Sequence, residues 1–252
     1  MSRRVGRRGA GSDLRRVAGH PMWSLALGAL LSAGLLIGFF VWISLPDVRT
    51  LRSGWPAQTS YMKQRIQEAK EGGETLRLGY RPVRLSAIPK SVQRAVRVAE
   101  DAAFYDHHGF DWYELRDAIR RAWERKEAPR GASTITQQLA RNLYLSSDRS
   151  YLRKLREALI ARRLERQLEK RRILELYLNV IELGPGLFGV EAASRHYFGI
   201  PVSDVSERQA AMLAASIPAP RRDNPATDTR RFRWRTRLVY ERAFAASDTA
   251  DA

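Results

Sequence analysis

The sequence predicts a predominantly α-helical protein, an exported helical domain behind one membrane-spanning helix. Three observations predict it. A charge-free apolar run from Pro21 to Pro46 is long enough to cross a bilayer. Beyond Pro89, helix-capping residues and apolar positions three to five apart recur almost to the end of the chain. No segment alternates apolar and polar residues over the length of a strand, and no internal repeat is present.

The 252 residues allow one good-sized domain with accessories. Lys and Arg number 44 against 27 Asp and Glu, a net charge of +17 carried mostly by arginine. Such a surface seeks polyanions, meaning nucleic acid, anionic lipid or a phosphorylated substrate. Cysteine is absent, which excludes disulfides, cysteine-ligated zinc and a thiol nucleophile.

In chain order, residues 1–20 form a basic tail with six arginines (Arg3, Arg4, Arg7, Arg8, Arg15, Arg16) and one acid, Asp13. A basic flank of this kind stays in the cytoplasm, so the chain after Pro46 is expected outside. Residues 21–46 read as the anchor, with Trp23 and Trp42 near its ends where indoles favour the interface. A cleaved signal peptide is the competing reading, but "SLPDVRTLRSGW" offers no convincing small-residue cleavage site. Export also weakens the nucleic-acid reading, because genomic DNA is not on that side.

Residues 47–84 read as a membrane-proximal connector, extended at "GYRPVRLSAIP", where Pro82 and Pro89 disfavour helix at the residues before them. Residues 85–245 form the main domain and 246–252 a short tail. Helices are expected over "SVQRAVRVAEDAAF" and from Trp112 to about Lys126. The next covers "STITQQLARNLYL", capped by Ser133 or Thr134. Ser150 caps a long helix with Leu152, Leu155, Leu159 and Leu164 as its apolar positions. Another carries "RILELYLNVIEL" and stops at "GPG"; "GVEAASRHYFG" ends on Gly199. Ser206 and Gln209 form a capping box, and "FRWRTRLVYERAF" is the last helix.

Three polar constellations carry candidate chemistry. In "EDAAFYDHHGFDW", Glu100 follows an apolar run, and a partly desolvated carboxyl is a better proton acceptor. A solvated helix end with incidental histidines is the plain alternative. His107 and His108 make a poor metal pair, because adjacent helical residues do not face one point. In "RRGASTITQQLARNLYL", Gly131 and Ala132 permit close approach of a ligand, and the hydroxyls and amides that follow suit sugar or phosphate oxygens. In "DRSYLRKLREALIARRLERQLEKRRILELYLN", Arg149, Arg153 and Glu157 stand four apart and share a helix face. The later "RRLERQLEKRR" reads as a solvated, salt-bridged stripe.

Taken in order, these segments resemble the signature series of the penicillin-binding-protein-type peptidoglycan glycosyltransferases, the monofunctional form in particular. Glu100, Asp101, Phe104, His107 and Gly109 match E-D-x-x-F-x-x-H-x-G. Gly131, Ser133, Thr134, Ile135, Thr136, Gln137, Gln138 and Asn142 match G-x-S-T-I-T-Q-Q-x-x-K-N, with Arg141 where Lys is commoner. Arg153, Lys154 and Glu157 match R-K-x-x-E, and Lys170, Ile173, Leu174, Tyr177, Leu178 and Asn179 match K-x-x-I-L-x-x-Y-L-N. Gly186, Gly189, Ala193, Tyr197, Phe198 and Gly199 follow G-x-x-G-x-x-x-A-x-x-x-Y-F-G. One such motif is a weak signal; five in order over roughly residues 85–220 are not.

The resemblance implies a lysozyme-like helical fold, lipid II as substrate, a β-1,4 glycan strand as product and residence on the bacterial inner membrane. It implies Glu100 as the base and Glu157 as the second carboxylate of the family, read as orienting the neighbouring cations, with assistance to the donor as the alternative role. Arg141, Arg149, Arg153 and Lys154 would hold a pyrophosphate. The remaining motif residues, Asp101, Phe104, His107, Gly131, Ser133, Thr134, Gln137, Gln138 and Asn142, would line the substrate site. No tightly bound cofactor is implied, although a divalent cation (Mg or Mn) bridging the pyrophosphate is compatible with it. Expected partners are lipid II, the growing glycan, membrane lipid and other cell-wall synthases, and no nucleic acid. No transpeptidase half is expected, since the chain after position 220 is short and lacks S-x-x-K and K-T-G segments. A lysozyme-like hydrolase and a non-catalytic scaffold are the rival readings.

Overall fold

The computed structural model describes residues 22–126, 133–148 and 150–245, so Gly131, Ala132, Arg149 and both terminal tails lie outside the described residues. The chain divides into two units, Met1–Ser44 and Leu45–Ala252. The first contains helix α1, Met22–Ile43. At 1.5 Å per residue it is about 33 Å long, enough for a bilayer core. Leu25, Leu30, Leu35, Leu36 and Phe40 all stand exposed, so the helix is apolar around its circumference rather than along one face. A helix of that kind is at home in lipid.

The second unit is predominantly helical, with α2 (Ser60–Glu71), α3 (Lys90–Glu100), α4 (Trp112–Arg125), α5 (Ile135–Tyr144) and α6 (Tyr151–Gln167) in its first half. α7 (Lys170–Val180), α8 (Val190–Phe198), α9 (Glu207–Ser216) and α10 (Arg230–Tyr240) follow, and a π-helical turn over Glu241–Ala245 extends the last. α7 is the central element. Ile173, Leu174, Leu176, Tyr177, Leu178 and Val180 are all fully enclosed, which leaves it no solvated face beyond its first turn. α5 packs on α6 and α7, while α3 and α10 pack on α9. The predicted caps Thr134, Ser150 and Ser206 each accept from a backbone N–H in the first turn of their helix, and Thr229, which the sequence reading did not single out, does the same for α10. Gly199 ends α8 in the left-handed region.

Several details differ from the sequence reading. The 47–84 stretch carries α2, whose start is capped by Thr59. The helix expected over residues 91–104 stops at Glu100, because Asp101 turns into extended backbone. Three short strands occur where none is legible: β1 (Gly79–Tyr80), β2 (Glu182–Gly184) and β3 (Leu187–Phe188). They pair in the order β1-β3-β2, parallel for β1 with β3 and antiparallel for β2 with β3. Strands of two or three residues are too short to show an alternating pattern. After β3 the chain closes on Asn179. A Cβ at Gly189, where φ is +85°, would lie 2.5 Å from the Asn179 carbonyl oxygen, so glycine is required there. On α6, Leu152 and Leu155 point to solvent, and the buried face is instead Glu157, Ile160, Ala161 and Leu164.

The basic stripe after residue 161 is also not simply solvated. Arg163 donates to the Leu45 and Pro46 carbonyls, and Lys170 pairs with buried Glu165. Arg172 donates to the carbonyls of Leu51 and Gly54, pairs with Glu175 and lies over the Trp55 ring. Of this stripe Arg166 is exposed, as expected.

Candidate active site

The site begins where α3 ends. Asp101 leaves the helix, and its carboxylate accepts from the Ile135 N–H (2.9 Å), at the start of α5. The other Asp101 oxygen lies 2.9 Å from His107 Nε2. Because the Gly109 N–H donates to His107 Nδ1, Nε2 is the ring nitrogen that donates to Asp101. Thr134, the cap of α5, donates through Oγ1 to the Gly109 carbonyl (2.9 Å) while accepting from the Gln137 N–H. These bonds stitch the 101–109 turn onto the first turn of α5. Glu100 is thereby set beside Gln138.

Glu100 is held from two sides. Gln138 Nε2 donates to one carboxylate oxygen and Arg235 Nη2 to the other, each at 2.9 Å. Behind Gln138, the Tyr177 hydroxyl donates to its Oε1 at 2.9 Å. Burial pushes the Glu100 carboxyl above its ordinary value, against the pull of Gln138, Arg235 and nearby Arg141. A proton acceptor strengthened by desolvation is what general-base chemistry on a hydroxyl needs.

Glu157 forms the second anchor point, with only 1% of its side chain exposed. Arg153 Nη1 donates to one oxygen at 2.6 Å and Lys154 Nζ to the other. Lys154 also donates to Ser133 Oγ at 3.0 Å, tying this cluster to the segment before α5. Arg153 and Glu157 are one helical turn apart, so α6 itself places them together. The Nε atoms of Arg141 and Arg153 are buried without a hydrogen-bond partner among the described residues, as are those of Arg156 and Arg235.

Two clefts flank the Glu100–Gln138 pair. One, of about 370 Å³, is lined by Glu100, Asp101, Ser133, Thr134, Tyr113 and Arg242 among others. The other, of about 360 Å³, includes Gln138, Arg141 and Asn142 with Arg65, Arg221 and Arg222. Gln138 therefore contacts Glu100 of the first cleft and lines the second.

The structure thus brings together Glu100, Gln138, Arg141 and Arg235, and separately Ser133, Arg153, Lys154 and Glu157. Other expected substrate-binding residues serve the scaffold. Phe104 is wholly enclosed, edge-on to Tyr105 and beneath Lys170 Nζ, so it cannot touch a ligand in either cleft. Gln137 completes the capping box with Thr134, and His107 is committed to Asp101. Asn142 lines the second cleft while donating back to the Gln138 carbonyl. Gly131 and Arg149 lie outside the described residues. Sequence reasoning missed Arg235. It is one of five arginines in α10 and reaches Glu100 across 135 residues, and no local pattern sets it apart from its neighbours.

A divalent cation does not find a set of protein ligands here. The carboxylates of Glu100, Asp101 and Glu157 each already accept from two donors, and no group of three His, Asp or Glu suited to a metal occurs among the described residues.

The chain is similar to proteins of known family over most of its length. A family model described as transglycosylase matches residues 67–244, starting within α2. A biosynthetic peptidoglycan transglycosylase of Azoarcus sp. (strain BH72) is 44% identical over 203 residues, covering 80% of this chain and 87% of the relative. One from Neisseria meningitidis serogroup C is 39% identical over 224 residues, covering 89% and 94%. One from Nitrosospira multiformis is 43% identical over 192 residues, covering 76% and 84%.

Proposed function

The chain belongs to the transglycosylase family and is a peptidoglycan glycosyltransferase, and from that premise we propose that it polymerises lipid II into β-1,4 glycan strands. The observation that carries the reading is the pair of separately held carboxylates. Glu100 is desolvated at a cleft wall, and Glu157 is locked between two cations.

Glu100 takes the proton of the acceptor sugar's 4-hydroxyl as that oxygen attacks the anomeric carbon of the donor. The bond from that carbon to the pyrophosphate oxygen breaks, and undecaprenyl pyrophosphate leaves with the negative charge. A single displacement inverts an α-linked donor to a β-glycoside. The leaving charge falls to Arg141, Arg149, Arg153 and Lys154, and cations fixed before reaction, as Arg153 and Lys154 are by Glu157, stabilise a transition state more than a resting complex. Glu157 fixes Arg153 and Lys154 in place. Asp101, His107, Thr134 and Gln137 hold the turn that presents Glu100, while Ser133, Gln138 and Asn142 offer polar groups to the sugars. No step is assigned to a metal.

The reading extends to location. α1 anchors the chain once in the cytoplasmic membrane, with residues 1–20 inside and the domain outside, where lipid-confined substrate meets a tethered enzyme at high effective concentration. Glycan polymerisation there contributes to cell-wall biogenesis and cell shape. Purified protein incubated with lipid II in detergent should yield polymer and undecaprenyl pyrophosphate. Cleavage of preformed glycan without polymer would establish a hydrolase instead.

A further inference from the structure

Tyr177 is fully buried in the middle of α7, and its hydroxyl has Gln138 Oε1 as its hydrogen-bond acceptor at 2.9 Å. A buried hydroxyl hydrogen needs an acceptor, and an amide supplies one only through its carbonyl oxygen. With that oxygen turned to Tyr177, the amide nitrogen is directed at Glu100, where it donates at 2.9 Å. The reverse orientation would set Oε1 against the Glu100 carboxylate, two acceptors with no proton between them. We infer that Tyr177 is a positioning residue for glycosyl transfer, locking the Gln138 amide so that it donates to Glu100 and keeps the base ready to accept a proton. The inference rests on the assignment of Glu100 as the base.

The groups nearest Glu100 come from four elements, and its cleft is also lined by Asp111, Tyr113 and Glu114 at the start of α4 and by Arg242 on the π-helical turn. Arg235 on α10 holds the other oxygen, Gln138 and Arg141 come from α5, Tyr177 lies behind on α7, and Asp101 adjoins on the chain after α3. Burial raises the Tyr177 phenol well above its ordinary value, and the Glu100 charge adds to this. It therefore remains an O–H donor at any working pH. Without it the amide is free to rotate, and Glu100 loses a donor that favours its ionised form.

The test is the pH dependence of kcat/KM for lipid II polymerisation by the full chain, comparing wild type with Tyr177→Phe and Gln138→Leu. Tyr197→Phe serves as a control, since that hydroxyl donates to the Leu183 carbonyl in a different part of the fold. Tyr177→Phe should move the acid limb to higher pH, lowering acid-side kcat/KM about tenfold, the worth of one charge-assisted hydrogen bond. The alkaline plateau should fall much less, KM should change little, and Tyr197→Phe should leave the profile in place. Gln138→Leu should displace the limb in the same direction, which keeps the inference testable if Tyr177→Phe does not fold. A wild-type acid limb in either variant, or equal loss at every pH, would overturn the inference. Activity in Glu100→Gln would instead remove the base assignment, a separate failure.

Discussion

Glu100 sits where burial and hydrogen bonding pull in opposite directions, and its titration should be visible in stability as well as rate. Burial is the larger influence, so its carboxyl lies above the ordinary 4.5 in the folded chain. Between that value and the raised one the folded state binds more protons than the unfolded state, so stability falls as pH rises. Glu100→Gln removes this dependence. Its melting temperature relative to wild type should therefore climb as pH increases from about 4.5, with no such rise below it. The same variant should bind lipid yet form glycan at least about a hundredfold more slowly. Retention of more than a few per cent of turnover, or a melting difference that stays flat with pH, would contradict the assignment.

At the scale of the helix, α6 divides its charges between two jobs. Its first turns carry Arg153, Lys154 and buried Glu157, while Arg166 in the last turn is exposed. Arg153→Ala should lower polymerisation strongly, with smaller changes in liposome binding and melting temperature, because its cation serves a leaving group. Arg166→Ala should leave all three nearly unchanged. If both variants weaken liposome binding in step and nothing else, the face is only a membrane contact. Arg172, at the start of α7, belongs to neither class. Its guanidinium joins two backbone carbonyls, Glu175 and the Trp55 ring, and Glu175 in turn accepts from the Leu85 N–H. Arg172→Ala leaves a largely buried carboxylate without its cation and should cost about 3 kcal/mol, read by denaturant titration. A loss under about 0.5 kcal/mol would return Arg172 to the solvated stripe.

For the molecule as a whole, the charge-free helix and the domain are distinct units, the latter with its own continuous core. The chain entering the domain is fastened at once. Arg163 holds the Leu45 and Pro46 carbonyls, Arg52 reaches Gln167, and Arg172 takes Leu51 and Gly54. If α1 is a retained anchor with the domain outside, a reporter fused after Ala252 should be active only in the form that works beyond the cytoplasm. A mature N-terminus near residue 45 would mark a cleaved leader instead.

The sequence by itself determined the helical class, the membrane-length run, the caps at Thr134, Ser150 and Ser206, and the pairing of Arg153 with Glu157. All of these depend on neighbours within a few positions, where helical spacing alone fixes what meets. The ordered motifs also identified the family. Only the tertiary structure decided that Arg235 lies against Glu100, that Tyr177 backs Gln138, and that Phe104 is core rather than cleft. The same holds for Arg172, whose partners at Leu51 and Gly54 lie more than a hundred residues away. Such contacts are made by packing α3, α5, α7 and α10 together, and a periodic pattern carries no information about which distant arginine arrives at which carboxylate. The three short strands escaped for a related reason: two or three residues held by pairing and by the glycine at 189 leave no repeat to read.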